Sequence, residues 1–103
     1  MTFVRVVSSV RDGVEINRNY KVVLLCRIDT EKKITDGEWF GYVQNENEAI
    51  IPFVLRNQNK FIYGEQYTPE ATNITEKLIE VGTLFTVFSE TEPTYEIESV
   101  HTF

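Results

Sequence analysis

The side chains that most often carry chemistry are scarce in this chain, which has one cysteine, Cys26, and one histidine, His101. Cys26 lies in the most apolar stretch of the sequence, whereas reactive thiols need a polar, cationic setting. His101 lies two residues from the last one, and a general base must be held within hydrogen-bond reach of its proton. We therefore expect a buried, inert thiol and a histidine with a solvated or packing role, unless the fold pairs the two.

Metal-binding and cofactor-binding motifs do not occur in the sequence. One histidine and one cysteine cannot form a structural zinc site, and the acidic residues lack the spacing of a calcium-binding loop. The five glycines are isolated from one another and form no phosphate-binding loop. The sequence therefore predicts no cofactor, no metal and a non-enzymatic role.

The net charge of −6 is unevenly distributed along the chain. Residues 1–60 carry nine Lys and Arg against eight Asp and Glu, a net +1, whereas residues 61–103 carry Lys77 against eight glutamates, a net −7. Such a field repels phosphate backbones, so we expect no direct nucleic-acid binding. Apolar runs long enough to span a membrane are absent, and a single cysteine cannot form an internal disulfide. These features predict a cytoplasmic protein that binds no membrane.

Apolar residues recur with a period of two along most of the chain, which is the pattern of strands with one buried face. Turn-forming residues separate these segments at short intervals, as in small all-β proteins. We expect a single domain over residues 1–103, an all-β antiparallel barrel or sandwich of about seven or eight short strands. The predicted strands cover residues 3–7, 14–16, 20–28, 38–44, 49–55, 61–64, 84–88 and 95–100, with a break at Asn17–Asn19 and a loop at 66–73.

Two segments leave alternatives open. Residues 74–80 place Ile74 and Leu78 four apart after the potential cap Asn73, which fits one short helix, but a helix this short is marginal, so we favour a strand. Pro52 lies in the middle of an apolar segment and cannot donate a backbone hydrogen bond. Its strand is therefore predicted to lie at a sheet edge or to contain a bulge.

The stretch DGEWFGYV, residues 36–43, places aromatic residues on both faces of one strand. Trp39 and Val43 share a face with Gly41, and we assign that face to the core because tryptophan buries a large area. Phe40 and Tyr42 share the other face, which is either a second core surface or a surface for a partner.

Two hypotheses place the function on the protein surface. Aromatic residues make up 13% of the chain, more than one inner face readily holds, so the first hypothesis is a non-enzymatic module that binds another protein or itself. Its candidate interface residues are Phe40, Tyr42 and Pro52. The second hypothesis is an inhibitor or immunity-type protein whose acidic C-terminal half covers a basic partner. The residues that would form its acidic surface are Glu90, Glu92, Glu96 and Glu98.

A third hypothesis places the function inside the fold. A small barrel can hold one ligand when a few polar groups converge on its interior. The candidate pocket residues are Arg27, Tyr42, Tyr63 and Tyr95, because each combines a large side chain with a polar end.

Overall fold

The alternating segments pair in sequence order and close into a barrel. A computed structural model describes residues 2–46, 49–56 and 59–103, and within these ranges eight strands form one antiparallel meander. The first strand pairs with both the second and the last, which closes the sheet. The expected all-β antiparallel fold is confirmed, and its architecture is a barrel. The strands are β1 (Thr2–Asp12), β2 (Glu15–Ile28), β3 (Trp39–Gln44), β4 (Ile50–Arg56), β5 (Lys60–Ile62), β6 (Glu70–Thr72), β7 (Leu84–Phe88) and β8 (Thr94–Thr102).

The first two strands are longer than the sequence indicated. In β2, a bulge joins two segments that the sequence pattern presents as separate strands. Gly13 adopts a φ of 62° in the turn that the Asp-Gly pair predicted between them. The predicted break at Asn17–Asn19 is wrong. Val10 pairs with Asn17 and Ser9 pairs with Lys21, so the intervening residues bulge from a continuous β2. Polar residues in a bulge resemble a loop in sequence because they make no ladder pairs.

Side chains from every strand fill the barrel. Residues directly opposite each other on antiparallel strands point to the same face, so the pair Val4 and Cys26, both at most 1% exposed, marks the inner face. Phe53 of β4 stacks on Phe61 of the neighbouring β5 inside the barrel, with 4.1 Å between ring centroids. An eight-stranded barrel is just wide enough for such a side-chain core. The buried cluster comprises Val4, Val6, Val22, Leu24, Cys26, Ile28, Phe53, Leu55, Phe61, Ile74, Ile79, Phe85, Val87, Tyr95 and Ile97.

An irregular segment between β6 and β7 closes one end of the barrel, which we call the base. The favoured strand at 74–80 is wrong, and the helical alternative is reduced to one 3-10 turn, Ile74–Glu76. Ile74 and Ile79 are both at most 2% exposed, and the Ile79 amide donates to the Lys32 carbonyl of the β2–β3 loop. The two isoleucines therefore close the base and hold the segment against the core. The segment has no regular structure, so its buried residues follow neither a period of two nor one of 3.6.

The shortest strands, β5 and β6, determine how Pro52 is accommodated. β6 falls inside the loop predicted at 66–73, which is therefore wrong for residues 70–72. β4 pairs with β3 along its length, but pairs with β5 only at Val54, Leu55 and Arg56. The described strands form a closed barrel, so β4 is not an edge strand, but Pro52 lies outside the part of β4 that pairs with β5. Among the described residues, Pro52 has a ladder partner only in β3. Its missing backbone N–H therefore removes no hydrogen bond between β4 and β5.

Candidate functional site

Phe40 and Tyr42 point outward from the barrel and form the centre of an apolar surface. Phe40 lies between Leu25 and Val54 in the ladders, and Tyr42 lies between Val23 and Pro52. Phe40 is 58% exposed, whereas Val23 is only 6% exposed because its outward neighbours cover it. We call this surface the outer apolar face. Its members are Val7, Val23, Leu25, Phe40, Tyr42, Pro52, Val54 and Ile62.

The opposite face of the same strand belongs to the interior. Trp39 and Val43 are half-buried and pack against the core cluster. The Trp39 indole N–H donates to the Thr35 carbonyl at 2.9 Å, which fixes the ring at the base. Gly41 lies between these residues, where a side chain would meet the Val23 carbonyl and the Phe53 ring. The absence of a side chain at Gly41 therefore allows β3 to pack closely on β2 and β4.

Two shallow grooves, each with a volume of about 400 Å³, lie on either side of Phe40. Leu25 and Tyr42 line one groove with Arg5, and Val54 lines the other with Pro52 and Ile62. Phe40 therefore forms a ridge between two apolar depressions, a shape that can receive apolar side chains of a partner on both sides.

Basic residues border the outer apolar face. Arg5 lies beside Leu25 in the ladder, and Arg27 and Lys21 lie in the neighbouring outward rows. Within the described ranges, Arg5 and Arg27 make no ion pair, although the Arg27 guanidinium lies 6.0 Å from the centroid of the Trp39 ring. Arg5 and Arg27 therefore contribute positive charge to the border of this face, whereas the charge of Lys21 acts on the Glu98 carboxylate.

The predicted acidic surface divides into two parts. Glu96 and Glu98 form ion pairs with Arg11 and Arg18, at 3.4 Å and 2.8 Å respectively. Glu90 and Glu92 lie exposed in the β7–β8 loop, at the end of the barrel opposite the base. Two of the four candidate carboxylates are thus already neutralised by arginines of the same chain.

A cavity of about 610 Å³ opens at that opposite end, which we call the mouth. Tyr63, Tyr67 and Phe88 contribute aromatic rings to its lining, and Glu70 and Glu90 contribute carboxylates. The Tyr63 hydroxyl donates to Glu70 Oε1 at 2.6 Å. No lysine, arginine or histidine from the described part of the chain lines the cavity, so its only formal charges are negative.

The four candidate pocket residues do not come together. Tyr63 lines the mouth, and Tyr95 is buried with its ring stacked on Phe85 at 5.4 Å between centroids. Tyr42 and Arg27 lie on the outer surface instead, because they occupy outward positions of β3 and β2. The chemistry expected of one pocket is therefore divided between the mouth and the outer surface.

Burial alters the acidity of both interior tyrosines. Burial raises the pKa of Tyr63, and its hydrogen bond to the Glu70 carboxylate raises that pKa further. Burial and the same carboxylate raise the pKa of Tyr95 to about 12. Both hydroxyls are thus protonated at neutral pH, and that of Tyr63 donates to Glu70.

Sequence reasoning did not place Glu70 or Tyr67 in a site, because both fall in the segment read as a loop. The only signal for Tyr67 and Phe88 in the sequence is the high aromatic content of the chain, 13%. Glu70 reaches the mouth because β6 pairs with β5, where Glu70 lies opposite Phe61. A pairing between two strands of three residues each leaves no periodic signal in the sequence.

The structure separates Cys26 from His101. Cys26 is fully buried and points inward, and burial raises the pKa of its thiol to about 12. His101 pairs with Arg5 on the outer face, and its ring meets Phe103 edge-on at 5.6 Å between centroids. The sheet lies between the two side chains, so they cannot form a nucleophile–base pair. No group of three or more potential ligands among the described residues is arranged to hold a metal ion.

Comparison with known proteins gave no relatives. No family model matches the chain, and neither the curated proteins nor the solved structures include a significant match. In the described portion of the chain, no helix has the length and apolarity needed to cross a membrane.

Proposed function

We propose that this protein is a binding module whose outer apolar face docks an apolar, acidic segment of another protein. The observation that carries the proposal is Phe40, which is 58% exposed on a ridge between two apolar grooves. An aromatic side chain in this position leaves apolar surface in water, and such surfaces commonly mark interaction sites. Aromatic residues also dominate the energetics of protein interfaces.

The charges around the face specify the chemistry of the partner. Arg5, Lys21 and Arg27 lie along the β1–β2 side of the face, and Lys60 lies on β5 near the other side. A second copy docking face to face would bring two positive rims together, which like-charge repulsion disfavours. An apolar segment flanked by aspartate or glutamate would instead complement both the ridge and its rim.

A photo-crosslinking residue at position 40 tests this proposal. It would be introduced into the full chain and activated in an extract of the source cells, with the same residue at Val14 as the control. Val14 is 91% exposed in the β1–β2 turn, away from the outer apolar face. We expect a discrete adduct from position 40 and none from position 14, with the crosslinked peptide containing apolar residues next to carboxylates.

Charge reversal makes the test specific. Arg5→Glu combined with Arg27→Glu should abolish the adduct, whereas Glu90→Lys combined with Glu92→Lys should leave it intact. The same adduct from both positions, insensitivity to reversal of the two arginines, or no adduct would contradict the proposal. An adduct consisting only of two copies of this chain would contradict the proposal and favour self-association. Loss of the adduct in the variant with Glu90→Lys and Glu92→Lys would contradict it and favour the acidic-surface hypothesis.

A further inference from the structure

Glu70 places a carboxylate at the mouth without a matching cation. Its side chain is half-buried and accepts a 2.6 Å hydrogen bond from the Tyr63 hydroxyl. Within the described ranges, no lysine or arginine lies within ion-pairing distance of it, whereas Glu96 and Glu98 each have an arginine. A partly desolvated carboxylate next to a cavity is stabilised by any cation that enters that cavity.

Aromatic rings surround this charge. The rings of Tyr63 and Tyr67 lie 6.3 Å apart at 70° to each other, so they form a corner rather than a stack. Phe88 lines the same cavity and is 47% exposed at its rim. The negative face of an aromatic ring attracts cations, most strongly where water is partly excluded.

We propose that the mouth binds an organic cation, a quaternary or protonated amine with a small apolar body. The cation would lie against the rings of Tyr63, Tyr67 and Phe88, with Glu70 supplying the opposite charge. Val43 and Ile51 line the deeper wall, and they would contact the apolar body. This inference does not depend on the proposed function of the outer apolar face, although Tyr63 lines both the mouth and the groove next to Pro52.

Two other ligand classes fit the mouth less well. An anion would meet only the carboxylates of Glu70 and Glu90, with no basic group from the described residues to balance its charge. A hard metal cation takes six or more oxygen ligands. The described carboxylates form no cluster of three that could begin such a shell.

Choline and its neutral carbon isostere, in which a tert-butyl group replaces the trimethylammonium group, test the inference directly. Each would be titrated into the full-length protein, with binding followed by two-dimensional amide NMR. We expect choline to shift resonances of the mouth, such as those of Tyr67 and Phe88, and to bind about tenfold more tightly than the isostere. Equal binding of the two, or no shifts at millimolar choline, would overturn the inference.

Matched variants assign the site. Glu70→Gln should weaken choline binding about tenfold and leave the weak binding of the isostere unchanged, because it removes only the charge. Phe88→Ala should weaken choline binding, whereas Leu84→Ala should not. Leu84 is 45% exposed on the same strand but does not line the cavity. Amide spectra and thermal melting would establish that each variant is folded.

A quaternary ammonium group can belong to a free small molecule or to a methylated lysine of a protein. A short peptide containing trimethyllysine, titrated beside choline, separates these sources. Tighter binding of the peptide assigns the cation to a protein side chain, and equal or tighter binding of choline assigns it to a free molecule. Retention of choline affinity in both Glu70→Gln and Phe88→Ala would exclude the mouth as the site and overturn the inference.

Discussion

Arg18 of β2 and Glu98 of β8 form an ion pair, with Arg18 Nη2 at 2.8 Å and Arg18 Nε at 2.9 Å from Glu98 Oε2. Each residue lies in a bulge of its strand. Arg18 lies between Asn17 and Lys21 in β2, and the register of β8 shifts at Glu98. The two bulges flank the same part of β1, so this ion pair fastens the sheet where its ladders are interrupted.

The first prediction concerns the acid stability of this pair. The Ser9 hydroxyl, the Arg18 guanidinium and the Lys21 ammonium group lower the pKa of Glu98 below its ordinary value of 4.5, and together they outweigh the opposing effect of burial. A carboxyl group with a lowered folded-state pKa stabilises the fold fully above its unfolded pKa, and this contribution is lost as pH falls through the folded pKa. Stability should therefore fall as the solution is acidified below about pH 4.5.

Urea unfolding over a range of acidic pH checks this prediction. Glu98→Gln should lower stability by about 0.5–1 kcal/mol near neutral pH and flatten the acid limb of the stability curve, since the pair is only partly buried. Glu92→Gln is the control, because Glu92 lies exposed in the β7–β8 loop. Identical acid limbs in the wild type and both variants would rule out a role for the Glu98 pair.

The second prediction concerns the seal at the base. Ile74 is fully buried and Leu78 is 44% exposed, although both belong to the same short segment. Ile74→Ala should cost about 2–5 kcal/mol, because it leaves a cavity in the core. Leu78→Ala should cost less than about 1 kcal/mol. Chemical denaturation of both variants measures the difference, and similar costs would show that Ile74 does not anchor the base.

The sequence predicted the class of fold because its strongest signal, alternation of apolar residues, is also what builds most of this barrel. The inward residues Phe85 and Val87 and the placement of Phe40 and Tyr42 on one shared face follow from that alternation. That this shared face points outward does not follow from it. Alternation did not predict three other features, because each depends on contacts with another segment of the chain. These features are the bulge at Asn17–Asn19, the strand β6 and the turn at Ile74. Alternation cannot reveal such partners, because it describes only one strand at a time.

The same limit applies to the candidate sites. Alternation correctly grouped Phe40 with Tyr42 because both lie on one strand. The pocket set failed to assemble because Tyr42 lies on β3 and Tyr63 directly follows β5, and their relative positions depend on the register between β3, β4 and β5. Glu70 could be placed at the mouth only once β6 was known to pair with β5.

The third prediction concerns the close packing at Gly41. A methyl group there would meet the Val23 carbonyl and lie 2.9 Å from the Phe53 ring, and the backbone atom cannot move aside without separating β3 from β2. Gly41→Ala should therefore destabilise the protein by about 1–3 kcal/mol.

Gly13→Asn provides the control for that substitution. A side chain at Gly13 meets no atom within 4 Å, and asparagine tolerates the φ of 62° found there. Its stability in thermal and urea unfolding should stay within about 0.5 kcal/mol of the wild type. A Gly41→Ala variant as stable as Gly13→Asn would show that β3 does not require this close approach.

The fourth prediction concerns the reactivity of Cys26. Its side chain is fully buried, and burial raises the thiol pKa to about 12, so roughly one molecule in ten thousand carries a thiolate at pH 8. A thiol reagent should therefore modify the native protein only as fast as the barrel unfolds. The labelling rate should rise with urea in parallel with the global unfolding rate.

The double variant Cys26→Ala, Ser99→Cys carries its thiol at an exposed position of β8 and should react about a hundredfold faster without urea. A Cys26 labelling rate that does not depend on urea would mean that the thiol is reached through a local opening, and that the C-terminal part of β2 is not held by the core packed around it.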